Sequence, residues 1–247
     1  MCFVMELCPG GDLFSYIKKR RRLKENQAKY FFAQILKGLD AIHKQQILHR
    51  DIKLENIMID ATGSVKIGDF GVSRRLKAGE LCFEQCGTPA YIAPELLGRK
   101  GYSGYLADLW SAGVCLYAMI VGSVPFKAST ISQLHKLICE GTFSFEFQSG
   151  SHKKTSSKSS KSLFSDNVKD LISKLLCVNP LKRLSAEEAL KHPWFKDVKE
   201  VMQDIFTEKE KAIILKDYHR LKIEERSFTC ADRVETDVLL TEHPLDT

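Results

Sequence analysis

A mainly α-helical domain with a few short β-hairpins is the fold class that this sequence predicts, on three observations. Residues 25–44 place Ala28, Phe31, Phe32, Ile35, Leu36, Leu39 and Ile42 at three- and four-residue spacing, which lays one apolar face along a long helix with a charged back. Residues 105–121 are apolar on most sides, interrupted by Asp108 and Ser111, and a helix of that kind belongs inside a domain. The short runs 57–59 and 65–67 flank Asp60-Ala61-Thr62-Gly63, a turn composition that joins two strands as a hairpin.

The other elements follow in chain order. Residues 3–7 read as the end of a buried strand, which Pro9-Gly10-Gly11 breaks. Asp12 then caps a helix carrying Leu13, Phe14, Tyr16 and Ile17. Shorter helices are expected over 130–139, 166–177 and 185–191. The Lys/Ser tract 148–162 has too little apolar surface to order itself and reads as a disordered insertion. After Phe195 the polarity rises. Thr207-Glu208-Lys209-Glu210 makes a capping-box pattern ahead of Ala212-Ile213-Ile214-Leu215, so a tail helix is expected there, with irregular chain from residue 227.

Composition narrows the function classes. With 247 residues, 44% of them hydrophobic, one large domain or a domain plus tail is expected. No run of about 18 apolar residues stands out, so no membrane span is expected, and no basic-then-apolar leader with a cleavage site opens the chain. The eight cysteines, at 2, 8, 82, 86, 115, 139, 177 and 230, have neither zinc spacing nor the density of a disulfide scaffold. A redox pair of Cys82 with Cys86 is the alternative to ordinary reduced thiols. Reduced thiols are simpler, and they imply a cytoplasmic setting, or a nuclear one. The net charge of +6 is concentrated in Lys18-Lys19-Arg20-Arg21-Arg22 and the Lys/Ser tract. A solvated helix end and a flexible insertion account for these more simply than nucleic-acid binding does.

The chemistry is concentrated in three strings: His49-Arg50-Asp51-Ile52-Lys53-Leu54-Glu55-Asn56, then Asp69-Phe70-Gly71, then Ala93-Pro94-Glu95. They recur with Gly87-Thr88-Pro89, Asp108-x-Trp110-Ser111 and a late Arg183-Leu184. In this order and spacing the chain, from about Phe3 to Phe195, resembles the C-terminal lobe of a eukaryotic protein kinase. The resemblance implies a helical lobe with short β-hairpins at its catalytic and metal-binding loops, and transfer of the ATP γ-phosphoryl group to protein hydroxyls.

By that resemblance Asp51 would orient the substrate hydroxyl and Lys53 would place charge beside the transferring phosphoryl group. Asn56 and Asp69 would hold Mg2+, whose hardness suits amide and carboxylate oxygen. Lys53 two residues after Asp51, together with Thr88, resembles the serine/threonine kinases. Glu6 to Cys8 would be the hinge that meets adenine, with Met5 at the back of the pocket, Met58 on its floor and Asp12 toward ribose. Ordinary core packing for the methionines and a helix cap for Asp12 stand beside those roles. Asp12 and Glu55 would attract a basic residue N-terminal to the phosphoacceptor. Arg50 would organise the activation segment, with Glu84 standing near the place where many relatives carry a phosphorylatable threonine; a solvent-exposed glutamate is the plain alternative. Glu95 and Arg183 would form a buried ion pair, Asp108 would brace the catalytic loop, and Trp110 and Gly113 would pack.

The expected organisation is therefore 1–11 as the end of a small-lobe strand and hinge, 12–195 as the C-terminal lobe, and 196–247 as a tail of regulatory character. The family's glycine loop and its lysine would lie before Phe3, and no displaced copy occurs in the chain. Two readings stay open: a serine/threonine kinase whose upstream lobe lies outside this sequence, and an inactive lobe that acts as a scaffold or competitor. Either way the apolar face toward the small lobe calls for that lobe or a partner to cover it. Met5-Glu6-Leu7-Cys8-Pro9-Gly10-Gly11-Asp12-Leu13-Phe14 and the catalytic string are most similar to the calcium/calmodulin-dependent and AMP-activated kinase-like group. No clear calmodulin target is visible in the tail.

Overall fold

A computed structural model describes residues 5–77, 79–98, 100–145 and 163–196, together with Ala212. Helix α1 (Leu13–Arg20) starts where Asp12 accepts hydrogen bonds from the Ser15 amide (2.7 Å) and hydroxyl (2.8 Å). It buries Leu13, Tyr16 and Ile17, and its basic last turn suits the negative end of the helix dipole. Helix α2 (Glu25–Lys44) turns Ala28, Phe31, Phe32, Ile35, Leu36 and Leu39 inward, as their spacing requires.

After α2 come β1 (Ile47–Leu48), β2 (Ile57–Ile59), β3 (Val65–Ile67) and β4 (Arg74–Arg75). Strands β2 and β3 form the expected antiparallel hairpin, in the register Ile57↔Ile67, Met58↔Lys66 and Ile59↔Val65. Its turn is held by Asp60 Oδ1, which accepts from the amides of Thr62 (2.8 Å) and Ser64 (2.9 Å). Strands β1 and β4 pair antiparallel as Ile47↔Arg75 and Leu48↔Arg74. At two residues each they leave no period in the sequence to detect.

Helix α3 (Gly104–Val121) is the centre of the fold, packed between α2 and α5 (Asp166–Leu175). Its 18 residues have a mean hydropathy of 1.4, enough by length and composition to cross a membrane, so a run of that kind does occur; 83% of it is buried within the fold, which makes it a core helix. Gly104 sits so close to Leu48 that a Cβ there would meet its Cδ1 at 2.1 Å. Trp110 stacks on Phe126 at 5.7 Å between ring centres. Helices α4 (Ile131–Glu140), α5 and α6 (Ala186–Leu190) begin at Thr130, Ser165 and Ser185, each of which accepts from a backbone amide three residues on.

Two expectations are corrected. Residues 5–7 carry no strand and are exposed, and residues 1–4 lie outside the described residues. The helix expected to run to Cys177 ends at Leu175, because the Cys177 carbonyl accepts from Arg183 Nε (3.1 Å) and Nη2 (3.0 Å) and so leaves the helical path. The Lys/Ser tract 148–162 and the expected tail helix fall outside the described residues.

Candidate active site

The catalytic string follows β1 and ends in a 3-10 turn (Leu54–Asn56) that leads directly into β2. Both carboxylate oxygens of Asp51 are engaged. Oδ1 accepts from the Thr88 amide (3.0 Å) and hydroxyl (2.9 Å), and Oδ2 from Lys53 Nζ (2.6 Å) and Asn56 Nδ2 (3.3 Å). Lys53 Nζ also reaches Thr88 Oγ1 at 3.0 Å, and Asn56 Nδ2 donates to the Asp51 carbonyl at 2.9 Å. Burial by itself would raise the Asp51 carboxyl. The hydrogen bonds from Lys53 and Thr88 and the lysine charge outweigh it, so the group titrates below the ordinary carboxylate range.

The loop is held from behind by Asp108 of α3, a buried carboxylate. It accepts from the backbone amides of His49 (3.0 Å) and Arg50 (2.9 Å), and it meets His43 Nε2 at 2.9 Å. Arg50 has φ +68°, a left-handed backbone that a non-glycine residue keeps only when its surroundings impose it. The Asp51 amide donates to His49 Nδ1 (3.3 Å), so His49 Nε2 carries the proton and donates it to the Gly68 carbonyl at 2.9 Å. Phe70 stands edge-on to the His49 ring at 4.9 Å. The two motif strings are thus joined through His49.

Asp69 is exposed, with φ +58°, and its Oδ1 accepts from the Gly71 amide at 3.2 Å. The Gly68 amide donates to the Asn56 carbonyl at 2.8 Å, which ties the chain just before Asp69 to Asn56. With Asn56 Nδ2 committed to Asp51, its amide oxygen is the atom left for a ligand. Among the described residues no three His, Cys, Asp or Glu side chains converge for a metal. An amide and a carboxylate oxygen are a donor set that fits Mg2+, which takes one or two protein oxygens and completes its shell with phosphate and water.

Residues 80–88 meet this loop through Glu84 on Arg50 and Thr88 on Asp51. Glu84 accepts from Arg50 Nη1 at 3.1 Å and, more closely, from Arg74 Nη1 at 2.7 Å, while Arg74 Nη2 reaches Glu80 at 2.8 Å. Desolvation pushes the Glu84 carboxyl up, but the Arg74 and Arg50 guanidinium groups outweigh it and hold it down. The Tyr102 hydroxyl donates to the Glu84 carbonyl (2.7 Å), and Cys82 pairs with Tyr102 in a β-bridge. Burial raises the thiols of both Cys82 and Cys86, which disfavours thiolate chemistry there. Glu95 and Arg183 meet as a two-point ion pair, described further below.

The adenine-side residues are less gathered. Met5 is 83% exposed, so the expected back wall of a pocket is not formed by the described residues. Glu6 lies 3.3 Å from Lys66 Nζ, and the Cys8 carbonyl accepts from the Gly11 amide at 3.1 Å. Met58 is half-buried in β2, and Glu55 is exposed on the 3-10 turn. Asp12 has both oxygens on Ser15 and pairs with Met58 in a bridge, so its capping role is the one its contacts serve. Sequence reasoning missed Arg74, His43 and Tyr102. A histidine in the last turn of a long helix, or one arginine of a pair, carries no local mark of a partner 65 or 10 residues away.

The family profile described as protein kinase domain matches residues 1–195. The chain is 39% identical over 196 residues to CBL-interacting protein kinase 31 of Oryza sativa subsp. japonica, covering 78% of this chain and 40% of that protein. It is 39% identical over 194 residues to the carbon catabolite-derepressing protein kinase of Secale cereale, covering 78% and 36%. The same identity relates it to the probable serine/threonine-protein kinase MARK-B of Dictyostelium discoideum, of which it covers 26%. The chain spans about two fifths or less of the length of these relatives.

Proposed function

The chain belongs to the protein kinase domain family, and on that premise we propose that residues 12–195 are the C-terminal lobe of a serine/threonine kinase that phosphorylates protein hydroxyls, with residues 1–11 as its hinge. ATP would supply the transferable phosphoryl group, and Mg2+ the charge that neutralises the phosphate oxygens. Asn56 and Asp69 would hold the metal. Lys53, held against Asp51 and Thr88, would keep its charge beside the moving phosphoryl group. The observation that carries the reading is the four-donor seat of Asp51. A carboxylate so held is ionised at neutral pH, and as a weak base it orients a hydroxyl and takes its proton late, which suits a loose transition state. The longest of the four bonds, from Asn56 Nδ2 at 3.3 Å, is the one a substrate hydroxyl would displace.

In this reading Glu84 replaces an activating phosphate on Arg50 and Arg74, and Asp12 and Glu55 favour a substrate with a basic residue before the phosphoacceptor. The exposed Met5, Leu7 and Phe70 would be covered by an upstream small lobe or a partner. The described cysteines are free thiols, which supports a cytosolic or nuclear setting. The test is phosphotransfer from labelled ATP to serine, threonine and tyrosine peptides by the native full-length protein. Loss in Asp51→Asn is expected, and an unchanged rate would overturn the assignment. A native protein that transfers nothing yet binds another kinase through its exposed apolar residues would favour a scaffold instead.

A further inference from the structure

From Leu81 to Phe83 the chain alternates between solvent and core. Leu81 and Phe83 are 46% and 71% exposed, while Cys82 between them is 0% exposed. That alternation is the period of a strand, although the pairing amounts to a single bridge. Cys82 and Tyr102 exchange both backbone bonds, each amide donating to the other's carbonyl at 2.9 Å. A third bond, from the Tyr102 hydroxyl to the Glu84 carbonyl at 2.7 Å, secures the chain two residues further on. Burial pushes the Tyr102 phenol well up, so the hydroxyl keeps its proton and stays a donor. Tyr102 is itself buried and stands two residues before the core helix α3.

Two features fit the segment to this partner. Gly101 has no Cβ, and one placed there would lie 2.9 Å from both Leu81 Cβ and the Phe83 ring. The two outward side chains therefore need bare backbone beneath them. On the inward side, Glu84 reaches Arg74 Nη1 at 2.7 Å and Arg50 Nη1 at 3.1 Å. The same two arginines act on the Cys82 thiol, so Cys82 and Glu84 face them together. A slip of one residue would turn Phe83 toward the arginines and Glu84 toward solvent.

We propose that Tyr102 and Gly101 clasp residues 81–84 in the register that seats Glu84 on Arg50 and Arg74, which holds this part of the activation segment in place with no covalent modification. Tyr102 is then a positioning residue: it acts through Glu84 and touches no reacting atom. Its hydroxyl meets the Glu84 carbonyl and not the carboxylate, so it fixes where residue 84 stands without competing with the arginines for its charge. The effect on phosphotransfer rests on the reading of Glu84 as the substitute for an activating phosphate, whereas the clasp itself does not.

Hydrogen exchange of the native full-length protein, read by mass spectrometry, tests the clasp in Tyr102→Phe, Gly101→Ala, Glu84→Gln and the combined Tyr102→Phe/Glu84→Gln. Tyr102→Phe keeps the buried ring and loses only the hydroxyl. Amides of 81–86 should exchange about tenfold faster in it, the scale of one lost hydrogen bond, with those of α3 unchanged. Gly101→Ala should act likewise by pushing Leu81 and Phe83 aside. Glu84→Gln should also speed exchange, and the combined change should fall short of the product of the two, since a displaced segment has no arginine contact left to lose. In parallel, kcat should fall about three- to tenfold in Tyr102→Phe with KM for ATP unchanged, and adding Tyr102→Phe to Glu84→Gln should lower it no further. Exchange unchanged in both Tyr102→Phe and Gly101→Ala, or Tyr102 and Glu84 effects that simply multiply, would overturn the proposal. Faster, coupled exchange with an untouched transfer rate would support the clasp and overturn instead the reading of Glu84 as a phosphate's substitute.

Discussion

Arg183 meets Glu95 edge-on across 88 residues of sequence, Nη1 to Oε1 at 2.6 Å and Nη2 to Oε2 at 2.9 Å, with the arginine side chain 0% and the glutamate side chain 11% exposed. The same guanidinium donates to the carbonyls of Leu106 (2.6 Å) and Cys177 (3.1 Å from Nε) and lies 5.1 Å from the Trp110 ring. One side chain therefore ties the 3-10 turn Pro94–Leu97, α3 and the chain after α5 into one unit. Glu95→Ala should cost about 3–5 kcal/mol, since it strands a buried cation. Denaturant unfolding of the native protein measures this, and Glu95→Ala with Arg183→Met should cost less than the two single changes summed.

Asp51→Asn removes the charge but keeps an oxygen for the Thr88 amide. Phosphotransfer should fall by at least about a hundredfold, the scale of a lost acid–base group, while the unfolding midpoint at neutral pH falls only by the modest contribution of the seated carboxylate. Parallel activity and thermal-melt measurements separate the two effects.

Glu84→Gln keeps the shape and loses the charge that Arg50 and Arg74 hold. Activity should drop about tenfold in Glu84→Gln, as expected for one charge-assisted contact of about 1.5 kcal/mol, and phosphatase treatment of the wild-type protein should leave its rate unchanged. If Glu84→Ala retains full activity, the carboxylate is not standing in for a phosphate.

Acid should weaken the catalytic seat in a defined direction. The Asp51 carboxyl titrates lower in the folded protein than in the unfolded chain. Its contribution is therefore present above the unfolded value of about 3.9 and is lost as pH falls toward the lower folded value. Unfolding free energies measured across that window should fall less steeply for Asp51→Asn than for the wild type.

Gly87 has φ +105°, and a Cβ there would lie 2.8 Å from the Arg50 carbonyl. Gly87→Ala should displace Thr88 from Asp51 and cost about 1–3 kcal/mol, the range for a non-glycine residue forced into such backbone. A retained unfolding midpoint with full activity would show that the activation segment tolerates the shift.

The sequence by itself determined the mainly helical class, the start of α1 at Asp12, the span of α2, the β2–β3 hairpin and the residue types of the Asp51 site. Each is a local matter: a period of 3.6, a cap, a turn, or a motif whose members lie within a few residues of one another. The pairing of β1 with β4, the contact of His43 with Asp108, the grip of Arg74 on Glu84 and the seat of Trp194 on Glu25 were decided only by the tertiary structure, whereas the brace of Asp108 on the catalytic loop was already expected from the family resemblance. These partners stand 10 to 169 residues apart, and a single side chain carries no sign of which distant group it will meet. Packing around α3 brings them together, since burying its apolar surface on every side forces the surrounding loops, with their charges, into contact.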